Sequence, residues 1–225
     1  MSVETKNRYR SKDFWDIEGE KFISAHFRLE KCARIINRIA GTKESQVLDV
    51  GCGPGTLGKL LAPTIRYYGI DISIPEPADN MREYDILAHP IDFDGRRFDL
   101  VVAQGLFEYL GDHQEEKFSE ISQVIADGGT FLTSYSNFAH RHPTVYEVYN
   151  NVQSQRLFRQ SLSRFFTIDR VFPASHNWGH SSPNRQLLKN ANMYFDFNVP
   201  FVSHKLAVEY LFICSPRNVV RLARG

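Results

Sequence analysis

The chain has 225 residues, a formal net charge of +1, 42% hydrophobic and 24% charged side chains. A balance of 27 basic against 26 acidic residues argues against a surface built to coat nucleic acid or anionic membrane. The length suits one α/β domain with a sizeable core, so residues 1–225 are read as a single unit. Cys32, Cys52 and Cys214 form no CxxC pair, and neither a secretory leader nor a spanning apolar run is visible. The expected compartment is therefore a reducing cytoplasm, with no membrane association. Five of the eight histidines (His140, His142, His176, His180 and His204) fall in the last 86 residues.

In chain order, the apolar positions Phe14, Trp15, Phe22, Phe27, Cys32, Ile35, Ile36 and Ile39 recur at helical spacing. They predict one or two amphipathic helices over 13–40, stopped by Gly41. Short apolar runs at 46–50, 65–70, 83–87, 98–103 and 130–135 read as strands. Between them 56–61, 105–110 and 114–126 read as helices, while 85–98 is too short and too marked by Pro and Gly for one. This alternation implies a parallel, doubly wound sheet covered on both faces. Beyond Tyr135 the pattern changes to helices at 143–150 and 152–165, a strand at 167–172, a loop rich in His, Ser and Asn, and a last strand near 206–214.

The stretch Val47-Leu48-Asp49-Val50-Gly51-Cys52-Gly53-Pro54-Gly55-Thr56-Leu57-Gly58 carries the most chemistry. A buried strand runs into a glycine-dense turn, where the backbone reaches φ values closed to other residues and offers free N–H donors to a ligand. Gly53, Gly55 and Gly58 also satisfy the dinucleotide fingerprint, with Asp71 as the ribose-binding acid. Three details point elsewhere. Asp49 stands two residues before the first glycine, Gly51 widens the turn, and no Tyr-x-x-x-Lys relay of a short-chain dehydrogenase occurs.

VLDVGCGPG resembles the first motif of the class I S-adenosylmethionine (SAM)-dependent methyltransferases. YYGIDIS (67–73), EYDIL (83–87), FDLVVAQGLFEYL (98–110) and ADGGTFLTSY (126–135) are similar to that family's later motifs, in the same order. The resemblance implies a Rossmann-like methyltransferase fold, an α/β doubly wound seven-stranded sheet of order 3-2-1-4-5-7-6 with strand seven antiparallel. It implies SAM as cosubstrate and no metal. Asp49, Gly51, Cys52, Gly53 and Gly55 would surround the methionine part, and Gln104 would contact its amino group. Asp71 would take both ribose hydroxyls, Ile72 would pack on the adenine, and Asp85 with the Ile86 backbone would meet the adenine amine. The plain alternative is that Asp71 and Asp85 are solvated strand-end acids and that Asp49 caps the turn.

Ligands of such sheets bind at the carboxyl ends of the parallel strands. With the implied strand order, Tyr135, Asn137, His176 and Ser203 are expected to converge on the acceptor side, under a helical lid over 138–166 helped by the segment around Tyr9, Phe14 and Trp15. Each has a structural alternative: Tyr135 as core, Asn137 as a cap, Ser203 as an ordinary strand end. Glu108 is either an assisting group or the exposed face of a short helix. His176 with His180, and His140 with His142, have ligand-like spacing, but no carboxylate or cysteine accompanies them and Gly179 disfavours a helix there. No Asn/Asp-Pro-Pro-Tyr/Phe turn follows the fourth strand, and no dense basic patch exists, so a small-molecule acceptor is expected and a nucleic acid is not. A second reading keeps the fold and has SAM's own amine attack its aminocarboxypropyl arm, giving azetidine-2-carboxylate and methylthioadenosine. A NAD-binding oxidoreductase or an inert SAM-binding module completes the alternatives.

Overall fold

Eight strands form one sheet in a computed structural model that describes residues 26–76, 78–138, 153–177, 194–195 and 207–217. The strands are β1 (Ser45–Val50), β2 (Ile65–Asp71), β3 (Met81–Glu83), β4 (Phe98–Ala103), β5 (Ile125–Ser136), β6 (Phe166–Asn177), β7 (Tyr194–Phe195) and β8 (Ala207–Pro216). The helices are α1 (His26–Ala40), α2 (Gln114–Val124) and α3 (Gln155–Phe165). The spatial order is β3-β2-β1-β4-β5-β8-β6-β7. β1 to β5 run parallel to one another, whereas β8 is antiparallel to both β5 and β6. The expected seven-strand order is therefore present, with β8 as its inserted antiparallel strand and the two-residue β7 added to the outer edge of β6.

Alternation of side chains along the strands gives the sheet two apolar faces. One packs under α1, where Cys32, Ala33, Ile36 and Ala40 meet Val47, Tyr67, Leu100, Val102 and Leu132. The other packs under α2 and α3, where Phe118, Ile121, Phe158 and Leu162 meet Leu48, Val50, Val101, Phe131 and Phe212. At its centre Phe158 is fully buried, stacked on Tyr135 at 4.0 Å between centroids and edge-on to Phe107 and Phe118. Ser154 starts α3 by accepting from Leu157 N. The 155–165 part of the expected lid is thus a core crossover helix. Residues 139–152, with the other lid helix, lie outside the described residues, as do 13–25 of the N-terminal segment.

Three expected elements differ, and in one of them the helix over 105–110 is a short 3-10 turn at Phe107–Tyr109. The helix over 56–61 is only a single 3-10 turn at Gly58–Leu60. Gly58 and Pro63 bracket too few residues to nucleate an α-helix, and Asn37 of α1 instead holds the connection through Leu60 O and Ala62 N. The third strand, expected over 83–87, lies at Met81–Glu83. Asp85 ends it by folding the chain into a turn, with its Oδ1 accepting from Leu87 N at 3.0 Å and its carbonyl from Ala88 N and His89 N. That turn, rather than a strand, delivers Ile86 into the core.

Candidate active site at the carboxyl edge of the sheet

The glycine turn leaves the carboxyl end of β1 between the tips of β2 and β4. Gly51 N and Cys52 N both donate to Ile70 O, which folds the chain back over β2. Gly51 has φ +79°, and a Cβ there would stand 3.1 Å from Leu106 Cδ1, so the β1 and β4 turns touch. Gly55 has φ +70°, and a Cβ there would run into Met81 of β3. These contacts bring the turns after β1 and β4 together with β3 on one rim of the sheet.

Asp71 closes β2 and reaches back to the turn. Its Oδ2 accepts from Gly53 N at 2.8 Å and its Oδ1 from Ser73 N at 3.2 Å. Burial pushes its carboxyl above the usual range, while the donors at Gly53, Ser73 and Ile72 oppose that rise. Ile72 follows it, half-buried. Asp85 is half-buried two residues beyond β3, with its carboxylate on Leu87 N.

Asp49 lies under the turn on the α1 face, 5% exposed, and accepts from Tyr67 Oη at 2.8 Å. Burial raises its carboxyl from 3.8 to about 7, against the Tyr67 hydrogen bond that favours the anion. The Cys32 and Cys52 thiols are raised by burial as well, then by the negative charge of Asp49, which leaves both protonated at neutral pH. Beyond the β4 end, both polar side-chain atoms of Gln104 are buried. Apart from the Cys32 sulfur, a weak acceptor, they have no partner among the described residues.

At the end of β5, the Tyr135 hydroxyl accepts from Gln153 N at 3.3 Å, and burial raises its pKa. Asn137 Nδ2 donates to Ala207 O at 2.8 Å and to Tyr210 Oη at 3.3 Å, tying the end of β5 to the start of β8. His176 is opposite Ala207 and Phe195 in the ladder, so the β6 backbone carries it to the same edge. Ser203, His204, His140, His142 and His180 lie outside the described residues. Among the described residues no group of three or more His, Cys, Asp or Glu is placed to hold a metal ion.

Three further charged groups stand at this edge, of which Glu209 and Arg28 lie outside every motif. Glu108 is 1% exposed instead of on a solvent face, and its Oε1 accepts from Ser136 N and Ser136 Oγ at 2.8 and 2.7 Å. Glu209 is 3% exposed and accepts from Ser134 Oγ at 2.6 Å and from Arg28 Nη1 at 2.9 and 3.2 Å. Its only sequence signal is a lone acid inside the apolar run Ala207-Val-Glu-Tyr-Leu-Phe-Ile-Cys. Arg28, in turn, is its cation on α1.

Several solved structures share this arrangement of strands and helices. A chain in the complex between the Haloferax volcanii Trm112 methyltransferase activator and a methyltransferase is 17% identical, with 91% of this chain and 96% of that chain covered at a TM-score of 0.65. A SAM-dependent methyltransferase from Archaeoglobus fulgidus is 16% identical, covering 91% and 100% at 0.61. Another from Clostridium acetobutylicum is 14% identical, covering 90% and 97% at 0.60. At these identities the likeness is one of fold. Among curated proteins no match is found. Among the described residues no helix is long and apolar enough to cross a membrane. The sequence matches the methyltransferase-domain family over residues 24–194, from α1 through β7, and the chain belongs to that family.

Proposed function

We propose that this chain binds SAM at the rim between β1, β2 and β4 and transfers its methyl group to a small molecule in the cytoplasm. The observation that carries the reading is Asp71, whose carboxylate is held on the glycine turn by Gly53 N at the tip of β2. A carboxylate there meets a ribose diol with two charge-assisted hydrogen bonds. Ile72 then flanks the adenine, with Asp85 and the Ile86 backbone at its amine. Asp49, Gly51, Cys52, Gly53, Gly55 and Gln104 enclose the methionine arm. The buried Gln104 amide, whose polar atoms otherwise meet only a thiol, fits an amino-acid ligand. When bound, SAM supplies a sulfonium-activated methyl group, so the protein's task is to align a nucleophile and accept its proton. Asn137, His176 and Ser203 orient the acceptor, and Tyr135, stacked on Phe158, forms the floor beneath it.

Asp49 makes SAM binding pH-dependent. Between about pH 4 and pH 7 the folded chain holds a proton that the unfolded chain has released, so this group's contribution to stability falls as pH rises through that window. Over the full window the change is roughly 4 kcal/mol at most. A ligand ammonium beside the carboxylate favours the anion, so affinity runs the other way. SAM should bind about tenfold more tightly at pH 8 than at pH 6, and Asp49→Asn should flatten the profile in calorimetric titrations.

One observation favours a second reading, the intramolecular cyclisation of SAM to azetidine-2-carboxylate and methylthioadenosine. Among the described residues at this edge, Tyr135 Oη, Asn137 Nδ2 and Glu108 Oε1 are each hydrogen-bonded to protein partners, which suits a site that bends one ligand more than one that deprotonates a second. Incubating the protein with SAM alone and reading products by mass spectrometry separates the two. Methylthioadenosine and a new cyclic amino acid without added acceptor would establish cyclisation. S-adenosylhomocysteine formed only with an acceptor would establish methyl transfer.

A further inference from the structure

From the hydrogen-bonded chain Arg28–Glu209–Ser134–Gly105 we infer that Ser134 and Glu209 are positioning residues for recognition of the ligand's ammonium group. The inference rests on the SAM reading above and concerns how that site is set, not whether it exists.

Glu209 is nearly inaccessible on β8, and Arg28 of α1 neutralises it with two short contacts to one guanidinium nitrogen. Its Oε1 also accepts the Ser134 hydroxyl proton at 2.6 Å. With its proton committed there, Ser134 Oγ presents its lone pairs and accepts from Gly105 N at 2.8 Å. Arg28 packs so close to Gly105 that a Cβ added there would be 3.2 Å from Nη1. The charge pair therefore braces both the hydroxyl and the turn it holds.

The consequence lies in the peptide joining Gln104 to Gly105. It is planar and trans, so its N–H and C=O point in opposite directions. Ser134 belongs to β5, on one side of β4, and β1 lies on the other. Fixing the Gly105 N–H toward β5 turns the Gln104 carbonyl toward β1 and its glycine turn, which the contact between Leu106 and the Gly51 position shows to be adjacent. A carbonyl oxygen aimed there, with Asp49 beneath it, makes a two-acceptor seat for an alkylammonium. An acid outside every recognisable motif thus sets the direction of a backbone acceptor two strands away.

Two probes read this directly: SAM, which carries the ammonium, and 5′-methylthioadenosine, which shares the adenosine and lacks the amino-acid arm. In calorimetric titrations at pH 8, Ser134→Ala should weaken SAM about tenfold, the worth of one lost hydrogen-bond constraint. Methylthioadenosine should bind it as it binds the wild type. Glu209→Gln, which keeps an oxygen for Ser134 and removes the charge, should shift SAM in the same direction by a smaller factor, again sparing methylthioadenosine. Unchanged SAM affinity in both variants overturns the inference, and so does an equal loss for the two ligands, which marks a merely structural role. A wild type that binds neither probe would overturn the SAM reading itself, a result distinct from either of these.

Discussion

Asp71→Asn is expected to bind SAM roughly 30- to 150-fold more weakly than the wild type, a loss of about 2–3 kcal/mol. Two effects act in the same direction. The anion is replaced by a neutral amide, so the pair of charge-assisted bonds to the ribose diol loses its charge and one of its acceptors. The carboxylate also accepts from Gly53 N and Ser73 N, and an amide nitrogen turned toward either N–H opposes donor to donor and loosens the turn. Because the ribose is common to both ligands, methylthioadenosine should lose affinity by a similar factor. That pattern is opposite to the one expected for Ser134→Ala. Calorimetry with the two ligands checks it, and an affinity for SAM within threefold of the wild type would place the ribose elsewhere.

Phe158→Ala should destabilise the fold by about 3–5 kcal/mol, a large share of a typical domain's roughly 5–15 kcal/mol. Phe158 is fully buried, and its ring joins Tyr135, Phe107, Phe118 and Phe212 across two helices and the sheet. Removing it leaves a cavity that these rigid rings cannot close. The measurement is the midpoint of urea unfolding at constant slope. A residue on a lid would behave differently, changing substrate affinity while leaving the midpoint in place. The same experiment therefore checks the core role of 155–165 in solution.

These expectations rest on features that were unequally legible in the chain. Strand β4 is where its apolar run puts it, Phe98–Ala103, and β1 and β2 differ from expectation by one residue each. Central strands buried on both faces need continuous apolar sequence, and little else reads that way. The third strand was misplaced because EYDIL alternates like a strand, yet the Asp85 carboxylate captures Leu87 N and turns the chain. Such a side-chain capture competes with strand formation and leaves no mark in the hydrophobic pattern. The helix over 56–61 failed for a related reason, since its few residues between Gly58 and Pro63 take their partners from Asn37 of α1.

The glycine turn and the placement of the acids of β1 and β2 beside it were legible as well. Local backbone needs, positive φ after a strand and a carboxylate at its end, are written in residue type and spacing. The bonding of the residues at the ends of β5 and β6 was not. Strand order put Tyr135 and Asn137 at the carboxyl end of β5, but their partners Gln153, Ala207 and Tyr210 come from distant segments.

The sequence by itself determined the doubly wound architecture, the position of the glycine turn and the acid that serves it, because each depends on contacts within one or two neighbouring elements. Only the tertiary structure decided that 155–165 is core, that Glu108 is buried, and that Arg28, Ser134 and Glu209 form one chain beside the glycine turn. Those three residues are separated by 106 and 75 positions, and only the insertion of antiparallel β8 beside β5 under α1 brings them into contact. No local pattern encodes a meeting of that kind: buried charges find their partners across the fold, where desolvation makes pairing obligatory.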